Sequence, residues 1–276
     1  MSQTIRTETL TFIDSHAHLD DGRFDADLAT VIDAAAAVGV TRIINIGYRP
    51  ARWASSIALA NAYPGVSFTL GLHPHHAEEF SATLLADLRT TIEGHRPVAL
   101  GEIGLDYFRD LSDRGMQQEA LAAQLALASD VGLPVVMHLR GEVESDLIRA
   151  LDQTPDSLTC VFHSFDGSAE LAQYGLDRGF VFGVGGLATK AANSRLREIL
   201  TMIPLDRLML ETDAPYLVPA TIKDRRNTPA NIPFIAAELA VLKGVSLNDI
   251  AAATTANTSR VFNLPDQPNH AQKHIR

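Results

Sequence analysis

The order of short apolar runs and amphipathic stretches along this chain constrains its fold most strongly. Eight short runs rich in β-branched residues alternate with longer stretches whose apolar residues recur at helical spacing. The longer stretches include residues 27–38, 51–62, 117–131 and 168–178. The predicted strands are residues 11–15, 42–47, 67–73, 98–105, 134–138, 159–164, 180–184 and 207–212.

Eight strand–helix units within 276 residues favour an α/β fold of the (β/α)8 type, a TIM barrel. The competing architecture is a doubly wound open sheet, which usually has a glycine-rich phosphate turn after its first strand. Here the first predicted strand leads into His16, Ala17 and His18, with no such turn. The sequence therefore predicts the barrel.

The domain organisation follows from the absence of an internal repeat and of a linker rich in proline, glycine or serine. We predict a single barrel domain over residues 1–264. A long loop at 215–229 precedes a helix at 231–243, and residues 246–262 form one or two further helices. Residues 265–276 are polar and aperiodic, which predicts a flexible C-terminal tail.

The composition excludes several classes of protein. The chain has 23 basic and 33 acidic residues, a net charge of −10, which argues against a basic clamp on duplex nucleic acid. A single cysteine, Cys160, excludes an internal disulfide framework. No apolar stretch approaches the roughly 20 residues that span a bilayer, and residues 1–11 lack a signal-peptide core. We expect a monomeric cytoplasmic protein that does not act at a membrane.

Histidine and carboxylate side chains occur at the ends of six of the predicted strands. In a barrel, function lies where strands end at the C-terminal face. One such side chain alone is often a hydrogen-bonded core residue, but burying the whole set without a cation would be costly. The sequence therefore predicts a metal site. Its candidate residues are His16, His18, His73, Glu102, His138, His163 and Asp213.

The spacing of these residues indicates two cations. His16 and His18 are two residues apart on an extended segment, so both imidazoles point to one side and can hold one cation. Glu102 has two oxygens and can bridge two cations, and His138 with His163, from neighbouring strands, completes a second site. Imidazole with carboxylate suits zinc, manganese or iron, whereas magnesium prefers more oxygen ligands. We expect two divalent cations, with zinc, magnesium and manganese as alternatives.

Seven motifs, in order from Phe12 to about Phe262, resemble those of the TatD family of metal-dependent hydrolases. They are FIDSHAHLD at 12–20, GLHPH at 71–75, ALGEIGLDY at 99–107, PVVMH at 134–138, FHSFDG at 162–167, LETDAPYL at 210–217 and NTSRVF at 257–262.

The resemblance implies a TIM barrel with a dinuclear centre and phosphodiesterase activity on DNA, often as a 3′-to-5′ exonuclease. It also implies that His73 lies near the site and contacts a substrate phosphate. The family's ligand positions correspond to His16, His18 and Asp213 for the first cation, Glu102 as the bridge, and His138 and His163 for the second.

Substrate contacts are predicted from His73, Arg140 and Arg226, because imidazole and guanidinium groups bind phosphate. Two positions depart from the family pattern. Glu142 replaces a small residue shortly after His138, and Thr228 replaces the acid of the family's R-N-E-P motif. Both lie in loops that would meet substrate, so they bear on substrate choice and leave the ligand set intact.

The leading hypothesis is a two-metal hydrolase that cleaves phosphodiester bonds at single-stranded or frayed DNA ends. Asp213 is the predicted general base and Glu102 the predicted bridging ligand. About four positive charges from two cations would offset the acidic net charge locally. The alternatives are an amidohydrolase-type enzyme acting on a C–N, ester or lactone bond, and a non-enzymatic metal-binding protein. No lysine at a predicted strand end offers a carbamylated bridge, which argues against the amidohydrolase.

Overall fold

Eight parallel strands form the centre of the protein in a computed structural model that describes residues 10–265. The strands lie in one sheet in the order of the chain, with every neighbouring pair parallel. They are β1 (Phe12–Ala17), β2 (Val40–Gly47), β3 (Val66–Leu70), β4 (Ala99–Asp106), β5 (Val135–Arg140), β6 (Cys160–Phe162), β7 (Val181–Val184) and β8 (Leu208–Leu210).

Helices connect successive strands. The sequential strand order is that of a barrel and excludes the doubly wound sheet, so the predicted TIM-barrel fold is confirmed. The α-helices found within residues 10–265 are α1 (Leu28–Ala37), α2 (Pro50–Ala62), α3 (Ala82–His95), α4 (Arg114–Val131), α5 (Glu144–Leu151), α6 (Ala169–Asp177), α7 (Ser194–Met202), α8 (Ile232–Lys243) and α9 (Leu247–Val261).

Contacts between β1 and the end of β8 bring the barrel close to closure. The buried Asp14 carboxylate accepts hydrogen bonds from the backbone N–H of Thr212, at 2.9 Å, and from its hydroxyl. Further along, three residues after Asp14 and two after Thr212, Ala17 and Ala214 form a parallel bridge. These contacts join the first and last strands at the end of the barrel where the predicted metal ligands follow.

The interior of the barrel is apolar below that end. One buried cluster combines residues of seven strands with the end of α9, including Ile13, Val136 and Met209 with Val261 and Phe262. Strands on opposite sides of a barrel share a cluster only through its interior, so these side chains fill the interior and α9 covers its far end. The polar side chains are thereby left at the C-terminal end of the strands.

Most strand and helix boundaries differ from the prediction by one to three residues. The third strand ends at Leu70 rather than at residue 73, because the chain leaves the sheet and enters a 3-10 helix at Pro74–Glu79. The stretch predicted as one or two helices is the single helix α9. It begins with a capping box between Ser246 and Asp249, which satisfies its first free backbone N–H groups.

Among residues 10–265, no single helix is both long and apolar enough to cross a membrane, and α8 and α9 meet those criteria only as a pair bent by 110°. The predicted tail at 265–276 lies outside the described residues apart from Pro265. The monomeric state and the cytoplasmic location remain predictions.

Candidate metal centre

The predicted ligands converge at the C-terminal end of the barrel. His16 on β1 approaches Glu102 on β4, with its Nε2 3.5 Å from Oε2. His18, just after β1, lies with its Nε2 3.2 Å from Oδ1 of Asp213. His163, just after β6, has its Nε2 3.7 Å from Oε1 of Glu102. Side chains from the ends of four separate strands thus approach one another to between 3.2 and 3.7 Å in these pairs.

Three groups of side chains each place their ligand atoms within 4.8 Å of one another. The first group holds the three residues predicted for the first cation. The second shares its histidine from β1 with the first, and the third lies on the other side of Glu102. The groups are His16, His18 and Asp213; His16, Glu102 and His163; and His73, His75 and His138.

The second predicted pair, His138 and His163, is divided between two of these groups. The structure gathers His163 with His16, and His138 with His73, while Glu102 contacts both sides. Nδ1 of His138 lies 2.8 Å from Oε1 of Glu102. The strands β5 and β6 are neighbours, and Nε2 of His163 also faces Oε1 of Glu102, at 3.7 Å, while the ring of His163 stacks on that of His16. Glu102 therefore occupies the central position that the bridging role requires.

The donor set fits a divalent cation. Both ring nitrogens of His16 and Nδ1 of His18 are buried and have no hydrogen-bond partner. Leaving such groups unsatisfied costs about 1–3 kcal/mol each. Imidazole nitrogens and carboxylate oxygens are the ligands that zinc and manganese take in proteins. A bound cation would satisfy Nε2 of His16, which faces the carboxylates of Glu102 and Asp213, so the residues present match the predicted metal site.

Electrostatics favour the ligand form of His73, His16 and Glu102, whereas carboxylates raise the pKa of His18, His138 and His163 against the effect of burial. Burial and the neighbouring His138 hold the pKa of His73 well below its ordinary value, and burial with His163 lowers the pKa of His16. Burial alone would raise the pKa of Glu102, but His73, His163 and His16 around it bring it well below the usual range. Neutral imidazole and ionised carboxylate are the ligand forms.

Two residues of the site were not predicted as functional, namely His75 and Asp106. Oδ2 of Asp106 lies 2.6 Å from Nε2 of His75 and 3.0 Å from Nε2 of His138, so one carboxylate orients two imidazoles. The signal was available in the sequence. His75 stands in the GLHPH motif, two residues after the end of the predicted third strand, and Asp106 follows Glu102 by four residues on β4, a spacing that places both on one face of a strand.

Glu211 supports His163 in the same way. Its Oε1 lies 3.0 Å from Nδ1 of His163 and accepts the backbone N–H of Ser164 at 2.6 Å. Burial alone would lower the pKa of His163, but Glu211 and Glu102 raise it to about 10. Gly183 leaves room for this carboxylate, since a Cβ there would lie 2.1 Å from Oε2 of Glu211. The sequence indicated that Glu211 lies beside the site but not its role.

A cavity of about 450 Å³ opens above these ligands. His73 and Arg140, two of the predicted substrate contacts, line it, and Arg140 also pairs with Asp166 at 2.8 Å. Arg226 is not among the lining residues, because its guanidinium is bound to Asp27 with nitrogen–oxygen distances of 2.8 and 2.6 Å. The structure therefore brings two of the three predicted substrate contacts to the metal ligands.

Comparison with known proteins places this arrangement in a family. The profile of the family described as TatD related DNase matches residues 13–263. The chain belongs to the TatD family. It is a metal-dependent hydrolase of that family, as the motifs predicted.

Its relatives match over nearly their whole length. A protein of Erwinia tasmaniensis named 3′-5′ ssDNA/RNA exonuclease TatD is 36% identical over 257 residues, covering 91% of this chain and 99% of that protein. The uncharacterized metal-dependent hydrolase YabD of Bacillus subtilis is 33% identical over 251 residues, covering 91% and 98%. The crystal structure of YjjV, a TatD homologue from Escherichia coli K12, superposes with a TM-score of 0.86 at 34% identity, covering 92% of this TatD-family chain and 98% of YjjV.

Proposed function

We propose that this chain removes nucleotides from the 3′ end of single-stranded DNA by hydrolysing phosphodiester bonds with two divalent cations bound. One observation carries the proposal: buried imidazole nitrogens without partners lie beside ionised carboxylates at the floor of an open cavity. The name of the Erwinia tasmaniensis relative, a 3′-5′ ssDNA/RNA exonuclease, supports this class of substrate.

The proposed cation ligands lie at the C-terminal ends of the strands, where their side chains converge. The central position of Glu102, with oxygens facing His16 on one side and His138 on the other, supports its role as the bridge. When bound, two cations would polarise the phosphoryl oxygens and lower the pKa of water. The proposed ligands are His16, His18 and Asp213 for one cation, which lie in one group, Glu102 as the bridge, and His138 and His163, which both face Oε1 of Glu102, for the other.

Asp213 is the proposed general base. Its Oδ1 lies 3.2 Å from His18 and 3.7 Å from His16, and the residue lines the cavity. Burial alone would raise the pKa of Asp213, but His18, His163 and His16 lower it, so the carboxylate is ionised and able to accept a proton. A base in contact with both the ligand cluster and the cavity is placed to take the proton from the attacking water.

His73 and Arg140 are the proposed phosphate contacts. His73 is buried at the floor, with its Nε2 3.7 Å from Oε1 of Glu102, and Arg140 lines the cavity wall with partial exposure. His73, beside Glu102, is the proposed contact of the scissile phosphate. Arg140 is the proposed contact of a phosphate further from the metal ligands. Arg226 has no part in the proposal, because its pairing with Asp27 accounts for its charge.

The test is digestion of a 5′-labelled single-stranded oligonucleotide with magnesium, manganese or zinc. We expect products shortened stepwise from the 3′ end and no cleavage when a chelator removes the metal. An oligonucleotide with non-hydrolysable linkages at its 3′ terminus is the matched control and should persist. Parallel assays use RNA and a panel of amides and lactones. Metal-dependent cleavage of an amide or lactone with no cleavage of DNA would overturn the proposal.

A further inference from the structure

Two exposed aromatic side chains lie at the mouth of the cavity. Three aromatic side chains are exposed between residues 10 and 265: Phe108 at 75%, Phe234 at 49% and Tyr216 at 43%. Phe108 and Tyr216 line the cavity, whereas Phe234 is not among the lining residues. Phe108 follows β4 and Tyr216 follows β8, which are on opposite sides of an eight-stranded barrel. Two aromatic rings thus flank the entrance to the metal ligands.

The backbone of Phe108 is held in place from two sides. Oδ1 of Asp106 accepts the backbone N–H of Phe108 at 3.0 Å and that of Arg109 at 2.7 Å. On the other side a Cβ on Gly141, which has φ +81°, would lie 2.8 Å from the Phe108 nitrogen. Because Oδ2 of Asp106 contacts His138, Asp106 links the backbone of Phe108 to the ligand cluster.

The residues around the Phe108 ring indicate which kind of ligand binds against it. Leu111, 60% exposed, lines the cavity beside Phe108, while Arg109 and Arg140 line the same cavity and supply positive charge. An apolar ring next to cationic groups matches an unpaired nucleotide, whose base stacks on aromatic faces while its phosphate meets the charges. In a duplex both faces of an internal base are already stacked, so such a base offers no free face to Phe108.

We propose that Phe108 stacks on a base next to the scissile phosphate and thereby selects unpaired nucleotides. The proposal rests on the proposed hydrolysis of DNA and adds a specificity residue to it. Base–aromatic stacking is sequence-tolerant, because every base has a π-face. Phe108 therefore distinguishes unpaired from paired ends without distinguishing one base from another.

The experiment compares Phe108→Ala, Phe108→Trp and the control Phe234→Ala, which removes an exposed ring away from the cavity. The substrates are a normal single-stranded oligonucleotide and one whose two 3′-terminal residues lack bases. On the normal substrate we expect Phe108→Ala to raise KM by about fivefold to 150-fold, the range of base–aromatic stacking. Phe108→Trp and Phe234→Ala retain the wild-type KM. On the substrate without terminal bases, wild-type protein and Phe108→Ala become equal.

Two results would overturn the inference: an unchanged KM for Phe108→Ala on the normal substrate, or an equal loss on both substrates. Equal metal content in wild-type protein and Phe108→Ala excludes an indirect effect through Asp106. The proposed function is tested separately by the wild-type protein, because absence of metal-dependent DNA cleavage there is a failure of that function and not of Phe108.

Discussion

His16 and His163 lie face to face, with ring centroids 3.4 Å apart and planes within 15° of each other. They come from β1 and from the end of β6, which are not neighbours in the sheet. Stacked so closely, the two rings disfavour protonation of His16, whose pKa burial and His163 both lower. Both histidines also point a ring nitrogen at Glu102, at 3.5 and 3.7 Å. The stack therefore brings two potential ligand nitrogens to the same carboxylate, that of Glu102.

Glu102→Ala should lower the occupancy of both cation positions, because its two oxygens face histidines on opposite sides of the cluster. Metal analysis after dialysis against a defined concentration of zinc or manganese measures this. Glu119→Ala, which removes an exposed glutamate on α4, is the matched control and should retain the wild-type content. Two metals per chain in Glu102→Ala would remove this residue from the bridge.

Asp213→Asn should retain metal but lose about 10²–10⁴ in turnover, the scale of general-base catalysis. The amide keeps an oxygen that can coordinate but cannot accept a proton at neutral pH. Asp213 has φ +56°, and asparagine is among the residues that tolerate this left-handed conformation, so the backbone is preserved. Turnover by the loaded variant and its metal content are measured together. Recovery of the rate at saturating metal would show that Asp213 is a ligand only.

Asp106→Asn should weaken metal binding by roughly 10–100-fold, the usual effect of losing a carboxylate that orients a metal-binding histidine. The variant keeps Oδ1 as an acceptor for the N–H groups of Phe108 and Arg109, so the loop after β4 is preserved. Titrating metal into the metal-free variant, with hydrolytic activity as the readout, gives its affinity for the metal. Excess metal should restore most of the rate, in contrast to Asp213→Asn, and Asp110→Asn in the same loop should behave as wild type.

A divalent cation should raise the melting temperature of the metal-free protein. Binding to the folded state at 100 times Kd stabilises it by about 2.7 kcal/mol, which corresponds to roughly 5–10 °C for a chain of this size. The physical reason is that the buried Nε2 of His16, which has no hydrogen-bond partner in the metal-free protein, gains one. Thermal melts with and without chelator measure the shift. It should largely disappear in His16→Ala, and a shift of equal size in that variant would contradict binding at this cluster.

The positions of the strands and of most residues in the candidate metal cluster could be predicted from local patterns. Apolar periodicity depends only on neighbouring residues, and histidines or acids at the ends of predicted strands lie at one rim of any barrel. The same period-two argument that joined His16 with His18 would also have joined Glu102 with Asp106 on β4. These features were therefore accessible from the amino-acid sequence alone.

The tertiary structure decided which of these residues meet. Neither the stacking of His16 on His163 nor the bond from Asp106 to His138 follows from the order of the strands, because both depend on how side chains meet across the barrel mouth. The same is true of Arg226, which a loop after β8 brings to Asp27 instead of to the cavity. Contacts between residues distant in the chain arise from packing the whole barrel, and local periodicity carries no information about them.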